Sequence, residues 1–188
     1  MKGISDSVKL LLALVGGSFI FGIQPAGAVD INIKITGEIY IPPCIINGSD
    51  SEILVSFDKM SLYEVDGYKN AKTKTVSVSC DYYQGTPYIR IDGTMLSGAG
   101  NNVLKTTGAN PSTLGIALYQ GSDVNSAYPM NIGAGEQGKF GYKIMRGLKG
   151  QNASTGQFTF TAVPYKHGAG TLNAGTFSAI ATMSISYL

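Results

Sequence analysis

Residues 30–41 read Asp30-Ile31-Asn32-Ile33-Lys34-Ile35-Thr36-Gly37-Glu38-Ile39-Tyr40-Ile41. Every odd position is isoleucine except Gly37, and the even positions carry polar residues or tyrosine. Successive side chains of a strand point to opposite faces, so this segment as a strand has one β-branched face and one polar face. Pro42 and Pro43 cut it off from the rest of the chain, since proline cannot donate to a strand ladder. Such an apolar face must be covered, either as the first strand of a sandwich or by another molecule. The two ends of the chain have to be read together to choose.

The residues before this strip have the form of a secretory signal, expected to span residues 1–28. Lys2 and Lys9 make the start positive, Leu10 to Ile23 is mostly apolar, and Ala26-Gly27-Ala28 offers a small-x-small cleavage site. The apolar run is too short, and too soon succeeded by polar sequence, to anchor comfortably in a bilayer. Export takes a chain through an oxidising compartment, so the two cysteines, Cys44 and Cys80, are expected to form a disulfide. In the chain-entropy model the loop they close contributes about 3.8 kcal/mol.

The remainder has the size of one domain. A formal net charge of +2 and the absence of a basic run exclude a polyanion-binding surface, and no nucleic-acid partner is expected. Apolar and polar residues alternate in several short stretches. Thr73, Thr75, Ser77 and Ser79 oppose Lys74, Val76, Val78 and Cys80, which sets Cys80 on an inner face. Strands are also expected at Ile53–Phe57, Tyr88–Ile91, Leu114–Gln120, Lys139–Leu148, Gln157–Tyr165 and Phe177–Tyr187. Past the signal, no window has a sustained helical period. About seven short strands with glycine-rich turns predict an all-β fold, an antiparallel immunoglobulin-like sandwich.

The C-terminal strand repeats the pattern of the N-terminal strip. Phe177, Ala179, Ala181, Met183, Ile185 and Tyr187 are odd and apolar, with Ser178, Ile180, Thr182, Ser184 and Ser186 between them. A terminal strand without a successor leaves a free edge, and such an edge templates association. An incoming strand from another chain would supply backbone bonds and fill pockets with alternate side chains.

These residues resemble the subunits of chaperone–usher pili, and most of all the small tip-adaptor subunits of P-type pili. The likeness rests on the N-terminal strip with its glycine in the alternating row, on Ile41-Pro42-Pro43-Cys44, on Val78-Ser79-Cys80 and on Gly115-Ile116-Ala117-Leu118-Tyr119-Gln120. It rests also on Gly175, fourteenth residue from the end, and on the penultimate Tyr187. The resemblance covers essentially everything after the signal.

It implies an immunoglobulin-like domain lacking its last strand, residues 44–188, preceded by a donor-strand extension, residues 29–43. Ile31, Ile33, Ile35, Gly37 and Ile39 would enter the groove of a neighbouring subunit. Gly175, Phe177, Ala179, Ala181, Met183, Ile185, Tyr187 and Leu188 would line this chain's own acceptor groove and face a periplasmic chaperone, with the Leu188 carboxylate anchored by basic residues. Partners implied are that chaperone, an outer-membrane usher and neighbouring pilus subunits including the tip adhesin. The location implied is export through the periplasm of a Gram-negative bacterium into an extracellular fimbrium, where the subunit would link adhesin to fibre. A single-domain polymerising carbohydrate-binding adhesin and a terminator at the pilus base are the rival readings.

Enzymatic activity, cofactors and metals are not expected. Gly133-Ala134-Gly135-Glu136-Gln137-Gly138 matches the dinucleotide fingerprint but leads into a strand-like stretch, so it reads as a hairpin loop. His167, the one histidine, sits beside Lys166 and Gly168 in turn-like sequence, and no Gly-x-Ser-x-Gly elbow accompanies it. One histidine and two bridged cysteines do not make a zinc site, and no acidic loop suits calcium. Asn47-Gly48-Ser49 and Asn152-Ala153-Ser154 match glycosylation sequons but read as turns, and the eleven tyrosines suit the body of a β-sandwich better than a sugar platform.

Overall fold

Thr155–Lys166 (β9) is the longest strand, and it is buried along most of its length from Phe158 to Pro164. A strand covered on both faces needs apolar or small residues at both parities, which Phe158, Phe160, Ala162 and Val163 supply. On one edge it pairs antiparallel with Lys72–Ser79 (β2), and on the other with Leu114–Gln120 (β6). Ile45–Ile46 (β1) extends the sheet beyond β2, and Val103–Lys105 (β4) extends it beyond β6. Leu148–Lys149 (β8) pairs β9 further along its length, giving six strands in all. Thr73 and Thr75 lock the β2–β9 register by hydroxyl bonds of 2.9 and 2.8 Å to Thr161 and Thr159.

The opposing layer is thinner. Pro87–Gly93 (β3) lies between Ala181–Tyr187 (β11) and Tyr142–Lys143 (β7), and Thr107–Gly108 (β5) pairs separately with Phe177–Ser178 (β10). Between the layers one core joins Val76, Phe158, Phe160 and Leu118 to Ile89, Ile91, Ile185 and Tyr187. A smaller cluster, Leu96, Val103, Ala117 and Val163, covers the outer face of β6 and β9. This is an all-β, immunoglobulin-like antiparallel sandwich that is incomplete on one side. The Cys44–Cys80 bridge forms inside it, and both cysteines are buried.

The computed structural model describes residues 31–188. The expected signal, residues 1–28, and the first two residues of the expected extension lie outside the described residues. The chain divides into two units, Met1–Glu38 and Ile39–Leu188.

Three expected strands differ in the structure. Ile53–Phe57 alternates half-buried and exposed side chains but joins no ladder among the described residues. Lys139–Leu148 is broken by a 3-10 turn at Gly138–Phe140 and by Gly141 and Gly147 at positive φ, leaving only the two-residue β7 and the start of β8. The C-terminal strand is split at Ala179–Ile180, where it leaves β5 and takes up β3. The Gly133–Gly138 stretch is a loop with Gly133, Gly135 and Gly138 at positive φ, and it leads into the short 3-10 turn rather than an α-helix.

Candidate functional site: an uncovered groove

Two rows of half-buried apolar side chains run along the open side of the sandwich. One row is Ile53, Val55 and Phe57, with Leu54 and Ser56 turned to solvent. The other is Phe177, Ala179 and Met183, on β10, β11 and the break between them. Both rows pack on the main core, and neither is covered from outside. The alternation seen in sequence decides this geometry, since odd residues face inward on both walls.

The edge of β11 away from β3 explains why the trough stays open. At the cystine end a backbone bond closes it, from the Cys44 N–H to the Ile185 carbonyl at 2.7 Å. From Ser184 back to Ala181 that edge carries no ladder. At the far end Phe57 and Phe177 approach with ring centroids 6.1 Å apart, so the walls touch there. The trough therefore runs about eight residues of β10 and β11, on the order of 25 Å, from the cystine to the phenylalanine pair.

Beyond Phe57 and Phe177 the two walls continue into an open cleft of about 150 Å³, bounded by Met60, Leu62 and Val65 on one side and by Leu172–Gly175 on the other. Val65, Leu114 and Leu172 form a small buried cluster beneath it.

The residues singled out in sequence differ in burial. Ile185 and Tyr187 are fully buried, Phe177, Ala179, Met183 and Leu188 are half-buried, and Gly175 and Ala181 are exposed. The cystine end is therefore the closed one, and from Met183 to Gly175 none of these positions is fully buried. Burial pushes the Tyr187 phenol above its ordinary pKa of 10.0, partly opposed by a hydrogen bond with the Asn152 backbone. Leu188 pairs with Thr86 in both directions, N–H to carbonyl at 2.9 Å and carbonyl from N–H at 2.7 Å. This fixes the register of β11 at its last residue.

Ile31, Ile33, Ile35 and Ile39 are 81, 83, 90 and 102% exposed, and an added Cβ at Gly37 would meet nothing within 4 Å. Residues 31–41 carry no strand. Four fully solvated isoleucines in eleven residues are an unusual concentration for a soluble surface. Electrostatics play little part: the Asp66 carboxyl is held below its ordinary value by the N–H groups of Lys69 and Tyr68, a local turn contact. No cluster of three potential metal ligands occurs among the described residues, and no helix there is long and apolar enough to cross a membrane.

Sequence reasoning missed four features: the Phe57–Phe177 contact, the Cys44–Ile185 bond, the Thr86–Leu188 pair, and Asn110, buried at the floor of the cleft. Asn110 lies in Gly108-Ala109-Asn110-Pro111, which reads as any turn does.

An incomplete sandwich with a strand-shaped gap defines a class of proteins built to be completed by a neighbour. The chain belongs to the fimbrial protein family, whose model matches residues 33–188. It is 39% identical over 158 residues to the fimbrial adapter PapF of Escherichia coli, spanning 84% of this chain and 88% of that one. The minor fimbrial protein PrsF of the same organism is 38% identical over equal shares. Among solved structures, that of the P pilus adaptor subunit PapF superposes with a TM-score of 0.53 at 34% identity, covering 80% of this chain and all of that one. The P pilus rod subunit PapA has the same TM-score at 19% identity, with 84% and 100% covered, and so shares the fold.

Proposed function

We propose that this chain is a minor adaptor subunit of a chaperone–usher pilus, a structural role without enzymatic chemistry. Residues 1–28 direct export through the periplasm of a Gram-negative cell, and the mature chain ends in an extracellular fimbrium. Its groove takes a strand lent first by a periplasmic chaperone and then, at the usher, by the next subunit. Its own residues 29–43 complete a preceding subunit, the tip adhesin in the adaptor's case.

The observation that carries this reading is the pair of half-buried apolar rows flanking a free β11 edge, in a chain that also presents a solvated isoleucine strip. Burying four isoleucines is worth about 6–12 kcal/mol before ordering costs, enough for a durable non-covalent joint.

The test is the behaviour of the periplasmic protein with and without an added strand. The exported chain is purified and its monomer fraction and thermal unfolding followed while alternating peptides, including residues 29–43, are supplied. Aggregation alone and a sharp, higher Tm with a peptide are expected. A stable monomer whose unfolding no strand alters would mean that the sandwich is complete, and the acceptor role would fall.

A further inference from the structure

The cleft at the Phe177 end has one buried polar side chain in its lining, Asn110, 7% exposed. Both ends of its amide are committed to a single residue of the opposite wall. Nδ2 donates to the Asn173 carbonyl at 2.8 Å, and Oδ1 accepts from the Asn173 N–H at 2.8 Å. An amide used this way mimics one rung of a ladder.

The same turn grips the wall twice more. Ala109 N–H donates to the Thr176 carbonyl at 3.2 Å, and a Cβ placed on Gly175 would come within 2.6 Å of the Ala109 Cβ. The Asn110 carbonyl accepts from Leu114 N–H at 2.9 Å, so the turn is itself tied to the start of β6. Leu172, held by this arrangement, is buried with Val65 and Leu114.

We propose that Asn110 is the positioning residue that gives the cleft its fixed shape, and that through it the groove selects which side chain of an incoming subunit strand seats beyond the Phe57–Phe177 contact. This rests on the strand-acceptor reading above. The wall it holds, Leu172–Gly175, has no ladder partner until β10 begins at Phe177. Without Asn110 the Asn173 backbone loses both bonds, and Leu172 is free to leave Val65 and Leu114. A rigid cleft of about 150 Å³, lined by apolar side chains and the two asparagines, has room for one benzene-sized group and discriminates by size, while a loose one accommodates any small group. One methylene more or less in a fixed apolar pocket changes affinity by about 10–200-fold.

The experiment uses the full exported chain carrying Ile33→Asp and Ile35→Asp, which disable its own strip. Binding is measured for a set of eleven-residue peptides patterned on residues 31–41. Alanine, isoleucine or phenylalanine is placed at each inward position in turn. With Asn110 present, one position should discriminate the three guests by about tenfold or more. Asn110→Ala should reduce that ratio to under about threefold at this position alone, leaving the other positions as they were. Asn110→Asp keeps the acceptor for the Asn173 N–H and loses only the donor, so it reports the same ratio if the alanine variant yields no soluble protein. Equal weakening at every position, or an unchanged ratio, would make Asn110 a general structural residue and overturn the inference. If the parent chain retains no peptide at all, it is the acceptor reading that fails, and this inference with it.

Discussion

The two amphipathic segments of this chain, 31–41 and 177–187, have nearly the same alternation and opposite fates. In the first, every isoleucine from Ile31 to Ile39 stands in solvent and no ladder forms. In the second, Ile185 and Tyr187 are buried against β3 and the core, Phe177, Ala179 and Met183 are half-buried, and Ala181 is exposed. Periodicity therefore specifies which face of a strand wants cover, not where the cover comes from. Proximity to a partner strand makes the difference. The second segment pairs with β3 and β5 and has a cystine holding one end, while the first runs into Pro42-Pro43 and forms no ladder.

Substitutions can break this contrast in order of expected size. Replacing Cys44 and Cys80 together by serine should lower stability by about 3–4 kcal/mol, the loop entropy returned to the unfolded chain, and also loosen the Cys44 bond to β11 at Ile185. Denaturant unfolding checks it. Ile185→Ala, at a side chain with no exposure, should cost about 2–4 kcal/mol by the same assay. Met183→Ala, half-buried on the groove wall, should cost about 1 kcal/mol in the free chain and more once a strand is bound, when that side chain is fully covered. A cost that does not change on strand binding would place Met183 outside the docking surface.

At the small end, Ile33→Asp with Ile35→Asp should move the chain's own stability by less than about 0.5 kcal/mol, since both residues are solvated. Yet the same pair should abolish incorporation into fibres, measured in an assembling strain. Normal fibres from that variant would remove the donor role from the strip. Tyr187 adds a pH signature of the buried end. Below pH 10 its phenol is neutral in both states; above it the unfolded chain ionises first, so stability should decline as pH rises from 10 towards the raised folded value. Tyr187→Phe should flatten that alkaline slope.

Much of the fold was legible because its strands obey a period of two. Leu114–Gln120 is the strand expected, and those read at Lys72–Cys80, Tyr88–Ile91 and Gln157–Tyr165 differ from the observed ones only at their ends. The strands misread are those where pairing, not pattern, decides. Ile53–Phe57 has the right side chains and no ladder partner among the described residues, and Lys139–Leu148 has apolar residues but glycines that turn the backbone away. Of the groove's two rows, the alternation of the C-terminal one was expected from sequence, while Ile53, Val55 and Phe57 read only as a short strand. The groove's closed end at Cys44–Ile185, its pinch at Phe57–Phe177 and the Asn110–Asn173 staple were not legible. Each joins residues far apart in sequence, and none of the partners carries a local signal.

By itself the sequence determined the β class, the inward and outward faces of each long strand, the cysteine pair, and the presence of two terminal segments in need of cover. Those properties come from side-chain alternation and composition, which are local. Only the tertiary structure decided that one layer of the sandwich stops at a free edge, where that gap begins and ends, and which turn shapes its far cleft. Those outcomes depend on which backbones lie within hydrogen-bond reach of one another, and that is settled by the packing of the whole domain.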